Sequence, residues 1–75
     1  MKRVGEVVRT AQGLAVLRSP DESYPDLGTE LVDQNLEVVG HVVDVFGPVD
    51  RPYVAVSPTE DVTLAALLGE KLYAR

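Results

Sequence analysis

The chain has 75 residues, of which 45% are hydrophobic, and its 12 acidic and 7 basic side chains give a formal net charge of −5. A chain of this length holds one domain with a thin core, so residues 1–75 are treated as a single domain. The absence of cysteine excludes disulfide bonds and thiolate metal sites. The acidic balance, with basic residues dispersed along the chain, disfavours extensive contact with RNA phosphates.

The sequence contains neither a long apolar run nor the pattern of a signal peptide. We therefore expect a soluble cytoplasmic protein with no membrane association. Valine dominates the hydrophobic residues, and its branched side chain favours strands.

The first quarter of the chain predicts a β-hairpin. Val4–Arg9 is typical of a first strand and Leu14–Arg18 of a second, with Thr10–Gly13 as the turn between them. Gly13 takes a positive φ without steric cost. The acidic segment Ser19–Asp26 contains two prolines, which predict a loop outside any ladder.

The longest predicted strand lies in the middle of the chain. Leu31 and Val32 precede a turn at Asp33–Asn35, and the strand then runs over Leu36–Phe46. Its apolar residues occupy both the odd and the even positions of the strand. We expect one of these two sets to face the interior and the other to face a partner, a loop or solvent. Gly40, in mid-strand, predicts a bulge or bend.

The last third predicts a stiff connection, two strands and at most one short helix. Gly47–Pro52 is followed by a strand at Tyr53–Val56, and Glu70–Ala74 is the closing strand. Ser57–Glu60 has the form of a capping box. It predicts a short helix over Thr63–Leu68 ended by Gly69, and the alternative is an irregular loop with one helical turn. The pattern indicates an all-β fold, a small closed antiparallel barrel of about six strands.

The side chains offer little chemistry. The only histidine, His41, lies in the long strand, and Asp44, three residues on, is expected to point to the opposite face. Asp21, Glu22 and Asp26 lack the spacing of a calcium loop. Ser19, Ser23 and Ser57 stand beside turn signals. We therefore expect no catalytic residues, no cofactor and no metal.

One segment is unusual for its rigidity and its aromatic residues. The only phenylalanine, Phe46, leads into Gly47-Pro48, and Tyr53 follows a second proline at Pro52. Because proline fixes φ and restricts the preceding residue, this turn has little entropy to lose on binding. A docking surface is one interpretation; a tight hairpin whose Phe46 and Tyr53 fill the core is the other.

The runs Gly40–Val49 and Pro52–Val56 resemble the Gar/Naf family, and the archaeal Gar-type subunits most of all. The resemblance extends to Gly5 and Val7 near the start and to Leu72-Tyr73 near the end. Members of this family are small β-barrel accessory subunits of H/ACA ribonucleoproteins. The resemblance implies a barrel like the second domain of translation elongation factors, with no uridine isomerisation of its own.

The resemblance also implies a partner, the catalytic domain of the pseudouridine synthase subunit, with guide RNA and substrate RNA reached only indirectly through the particle. The family influences loading and release of substrate RNA. Carried over by motif position, the expected docking residues are Val45, Phe46, Gly47, Pro48, Val49, Pro52 and Tyr53.

Two alternatives come from other functional classes. A free-standing RNA-binding barrel of the translation-factor or OB type requires a basic groove with stacking aromatics, whereas this chain is acidic and has three tyrosines and one phenylalanine. A small enzyme requires a nucleophile–base pair, and the sequence offers none. Some relatives carry Gly/Arg-rich or Lys-rich tails, and no such segment occurs in these 75 residues.

Overall fold

A computed structural model describes residues 2–75, so Met1 lies outside the described residues. Six strands and one short helix follow each other in the order β1 (Lys2–Ala11), β2 (Leu14–Arg18), β3 (Glu30–Val32), β4 (Val38–Phe46), β5 (Tyr53–Pro58), α1 (Leu64–Leu67) and β6 (Lys71–Ala74). The strands form a closed barrel in the order β1-β2-β5-β4-β3-β6, and every neighbouring pair is antiparallel. The predicted fold class is confirmed. No helix within residues 2–75 has the length and apolarity needed to cross a membrane.

The first hairpin is longer than predicted. The pairing of β1 with β2 continues to Ala11 opposite Leu14, which leaves a two-residue loop of Gln12 (φ 53°) and Gly13 (φ 77°). Two successive positive φ angles define the tight type I′ turn, which matches the twist of the flanking strands. Thr10 and Ala11 are therefore strand residues, and the prediction that the turn began at Thr10 was wrong.

The acidic loop lies outside the ladders as predicted, and the chain rejoins the sheet at Gly28. There the Gly28 amide donates to the Val42 carbonyl (2.7 Å), and the Val42 amide donates to the Thr29 carbonyl (2.9 Å). The second turn closes when the Leu36 amide donates to the Asp33 carbonyl (3.0 Å). Leu36 has a φ of 66°, so the fourth strand begins at Val38 and not at Leu36.

Two bulges decide which side of β4 faces the interior. Val39 is an extra residue opposite β3, and Val43 is an extra residue opposite β5. Val39 and Val42 are buried and Val45 packs against the core, a spacing of three instead of two. The expectation that every second residue of this strand faces the interior was therefore wrong. The predicted irregularity at Gly40 is confirmed, because the first register shift immediately precedes it.

The predicted capping box does not form. Ser57 and Pro58 remain in β5, and Thr59 donates its amide to the Val39 carbonyl (3.0 Å). Pairing with β4 therefore satisfies the backbone hydrogen-bonding groups that would otherwise lie at the start of a helix. The helix is a single turn, Leu64–Leu67, with no side-chain cap from Thr63, which corresponds to the predicted alternative of a loop with one helical turn.

The interior of the barrel is built from aliphatic side chains of all six strands and the helix. The helix contributes Leu67, which closes one side of the core. The buried cluster consists of Val4, Val7, Ala15, Leu17, Leu31, Val39, Val42, Val54, Val56, Leu67 and Leu72. No aromatic side chain belongs to this cluster, so the rings of the chain lie elsewhere.

Gly40→Ala is expected to lower the free energy of unfolding by about 3 kcal/mol, because a Cβ at Gly40 would overlap the Ser57 carbonyl oxygen and approach a Val56 methyl group to 2.9 Å. Urea unfolding followed by circular dichroism measures the change. The matched control is Gly28→Ala, where a Cβ meets nothing within 4 Å and only the positive φ of 87° costs about 1 kcal/mol. Equal losses for the two variants would contradict close packing at Gly40.

Candidate docking surface

The connection between β4 and β5 is held in one conformation by its glycine and by a ring. Gly47 has a φ of 91°, a backbone conformation that residues with a Cβ rarely adopt. A Cβ at this position would lie 2.8 Å from Cδ2 of Tyr53. Phe46 and Tyr53 are cross-strand partners, and their rings stack with centroids 5.6 Å apart and an interplanar angle of 23°.

The far side of the turn is fixed to the end of β2. The Ser19 amide donates to the Pro52 carbonyl (3.0 Å), and Nε of Arg51 donates to the Ser19 carbonyl (3.3 Å). Ser19 is fully buried, and Pro52 is buried as well. Ser19 therefore helps to anchor the turn, a contribution that depends on long-range pairing and has no signal in the local sequence.

The seven residues expected to dock lie close together, but they differ in accessibility. Pro52 is buried, Val45 packs against the core, and Tyr53 is half-buried. Gly47 and Pro48 are exposed, Phe46 is 38% exposed and Val49 is 92% exposed. Phe46 and Tyr53 lie outside the buried cluster, so the interpretation that they fill the core was wrong. We call the exposed apolar group Phe46, Pro48 and Val49 the turn surface.

A basic cluster beside the turn surface was not visible in the sequence. Cζ of Arg18 lies 5.4 Å from the centroid of the Tyr53 ring, and Cζ of Arg9 lies 5.7 Å from it. The two arginines are nine positions apart in the chain, and strand pairing brings them to one ring. Only the register of β1, β2 and β5 reveals this convergence.

The acidic loop adds a groove next to Val45. Tyr24 and Leu27 are both more than half exposed, and with Pro25, Asp26, Asp44 and Val45 they line a shallow depression. The hydrogen bond from Gly28 to Val42 holds the loop against β4 at this place. Sequence reasoning assigned no contact role to this loop.

His41 and Asp44, the histidine and carboxylate weighed in the sequence as a catalytic pair, lie on the same face of β4. His41 and Asp44 are both exposed, because the extra residue Val43 changes the alternation between them, so the expectation that they face opposite ways was wrong. No hydrogen bond joins them, and Oδ1 of Asp44 accepts the Val45 amide (2.8 Å). Residues 2–75 contain no group of three histidine, aspartate or glutamate side chains able to hold a metal ion.

The fold and this surface define a small β-barrel protein with an exposed, rigid aromatic turn. Residues 1–75 match the family described as the Gar1/Naf1 RNA binding region, and the chain belongs to that family. It is 25% identical over 71 residues to the "H/ACA ribonucleoprotein complex subunit GAR1" of Chaetomium globosum. That match covers 93% of this chain and 34% of the relative, so the chain spans about a third of the relative's length.

Phe46→Ala is expected to lower the free energy of unfolding by only about 1 kcal/mol. The substitution removes a ring from the outer face and leaves the Tyr53 ring without its stacking partner. Leu72→Ala, which truncates a fully buried side chain, is expected to cost about 3 kcal/mol. Urea unfolding of both variants measures the difference. A larger loss for Phe46→Ala than for Leu72→Ala would assign the ring to the core.

Proposed function

We propose that the chain is a non-catalytic accessory subunit of an H/ACA ribonucleoprotein, the particle that carries out RNA-guided pseudouridylation of ribosomal RNA and so contributes to ribosome biogenesis. Family membership over the whole chain supports this proposal, and so does the likeness to a relative named as a subunit of that complex. The motif's similarity to archaeal members favours an archaeal particle and a cytoplasmic location.

The proposed partner is the catalytic domain of the pseudouridine synthase subunit. The single observation that carries this proposal is the turn surface, where Phe46 and Val49 are exposed on a turn fixed by Gly47 and Ser19. Exposed apolar side chains on a preformed turn lose little entropy on binding and remove apolar area from water. Aromatic anchors in such positions contribute strongly to interface energies.

The proposed effect on RNA is indirect. A subunit that binds one conformation of the synthase better than another shifts the equilibrium between them by its differential affinity. Loading and release of substrate RNA then change without any contact between barrel and RNA being required. Guide RNA and substrate RNA are accordingly partners only through the particle.

The absence of catalytic activity is part of the proposal. It is supported by the family match over residues 1–75 and by the likeness to a relative named as a subunit of a ribonucleoprotein complex.

Val49→Ser is expected to weaken binding to the purified synthase subunit about tenfold in the absence of RNA, because the exposed valine loses its apolar contact. Isothermal titration calorimetry with the full chain measures the affinity. The matched control is Leu36→Ser, which changes an exposed apolar residue beyond the opposite end of β4 and is expected to leave the affinity within about twofold.

Equal effects of Val49→Ser and Leu36→Ser would contradict docking through the turn surface. Binding that appears only when guide RNA is added would contradict direct docking on the synthase.

The second candidate function is direct binding of RNA by the barrel, and the family's description as an RNA binding region favours it. Tight binding of single-stranded RNA by the isolated chain, with a steep dependence on salt, would support this candidate, since phosphate contacts release counterions. The formal net charge of −5 weighs against it.

A further inference from the structure

The basic cluster beside the turn surface consists of Arg9 and Arg18, which we call the arginine pair. Both guanidinium groups lie within 6 Å of the centroid of the Tyr53 ring, and Phe46 stacks on the same ring. Each guanidinium is attracted by the ring's electron density, but the two positive charges repel each other. An anion between or beside them would remove that repulsion.

The arginine pair lies beside an outer apolar layer. Val16 and Ala55 face outward, since their strand neighbours Leu17 and Val54 point into the core, yet both are only 4% exposed. In the register Arg9 is opposite Val16, and Arg18 is opposite Tyr53 beside Ala55. The arginines are therefore neighbours of this outer apolar layer, on which an aliphatic stem can pack while its charged head stays in water.

The positive charge of the pair has no partner within residues 2–75. The one ion pair among them joins Arg75 to Glu30 (3.0 Å). Glu6 is opposite Arg18 across the strands, but Arg18 forms no salt bridge with Glu6 and lies over the Tyr53 ring instead. Nε of Arg18 is buried without a hydrogen-bond partner. A chain with 12 acidic residues thus leaves two adjacent arginines unpaired on one face.

We propose that the arginine pair on Tyr53 is a carboxylate site that receives an aspartate or glutamate side chain of the protein on which the barrel docks. This inference rests on the proposed function, because it names the chemistry of the same interface. Guanidinium groups donate paired hydrogen bonds to a carboxylate in a fixed planar geometry. The apolar turn surface would supply the buried contact area of the interface, and the carboxylate would set the orientation of the partner.

A protein carboxylate fits these observations better than an RNA phosphate does. Strands of RNA bind along rows of cations and stack bases on free aromatic faces. Here the two cations meet at one ring, and Phe46 together with the arginines already packs against that ring. Among the exposed residues nearby, Pro48 and Val49 of the turn surface are apolar, and Glu6 opposite Arg18 is acidic. The net charge of −5 also opposes the approach of a polyanion.

The test compares charge removal inside and outside the cluster. Arg18→Gln is expected to weaken binding to the purified pseudouridine synthase subunit about tenfold and to reduce the dependence of that affinity on salt. Arg3→Gln removes the same charge from an exposed position paired with β6 and is expected to change the affinity by less than about twofold. Calorimetric titration with the full chain at two salt concentrations measures both.

A second substitution separates binding from folding. Arg18→Lys keeps the charge and most of the stem beside Val16 and Ala55 but loses the planar fork, so a loss of about threefold is expected with unchanged urea unfolding. Wild-type affinity for Arg18→Lys, combined with a loss in Arg18→Gln that follows its loss of stability, would overturn the proposal and assign Arg18 to covering the layer.

Other results would overturn the carboxylate site in different ways. Equal weakening by Arg18→Gln and Arg3→Gln would mean that net charge alone acts. Unchanged synthase affinity with weakened binding of single-stranded oligouridine in Arg18→Gln would assign the pair to RNA. Absence of synthase binding by the wild-type chain would instead refute the proposed function itself, and the carboxylate site would fail with it.

Discussion

The pairing of β4 with β5 is the constraint on which the rest of the structure depends. Val43 is the extra residue in that ladder, and it sends Val42 and Val45 inward while Phe46 remains opposite Tyr53 on the outer face. A one-residue slip in a strand moves every side chain to the other face. Without the bulge, the aromatic pair and the interior valines would compete for the same side of the sheet.

The barrel consequently has two apolar layers with different roles. The interior layer is aliphatic and fully enclosed, and removal of its surface from water supplies most of the driving force for folding. The outer layer, Val16 and Ala55, lies on the face that also carries the arginine pair and the Tyr53 ring. A thin core of this kind leaves little stability to spare, so rigid surface packing contributes to the fold as well as to binding.

The sequence was sufficient for the architecture and for the rigid turn, because valine-rich runs, glycine and proline act locally. It misled at Ser57–Glu60, where pairing of Pro58 and Thr59 with β4 replaced the helix cap. It also failed for Arg9 and Arg18, which the register alone brings together. Both failures come from long-range strand pairing, which intrinsic preferences of short segments do not encode.

The proposed role, in which the barrel alters an enzyme without chemistry of its own, requires unequal contact with that enzyme's conformations. Unequal contact requires a surface that does not adapt, since a flexible surface would follow either conformation at similar cost. The turn meets that requirement, because Gly47 is fixed by its φ and by the Tyr53 ring, and Pro52 is fixed to Ser19. A charged contact at the arginine pair would sharpen the discrimination, since paired hydrogen bonds tolerate less displacement than apolar contact does.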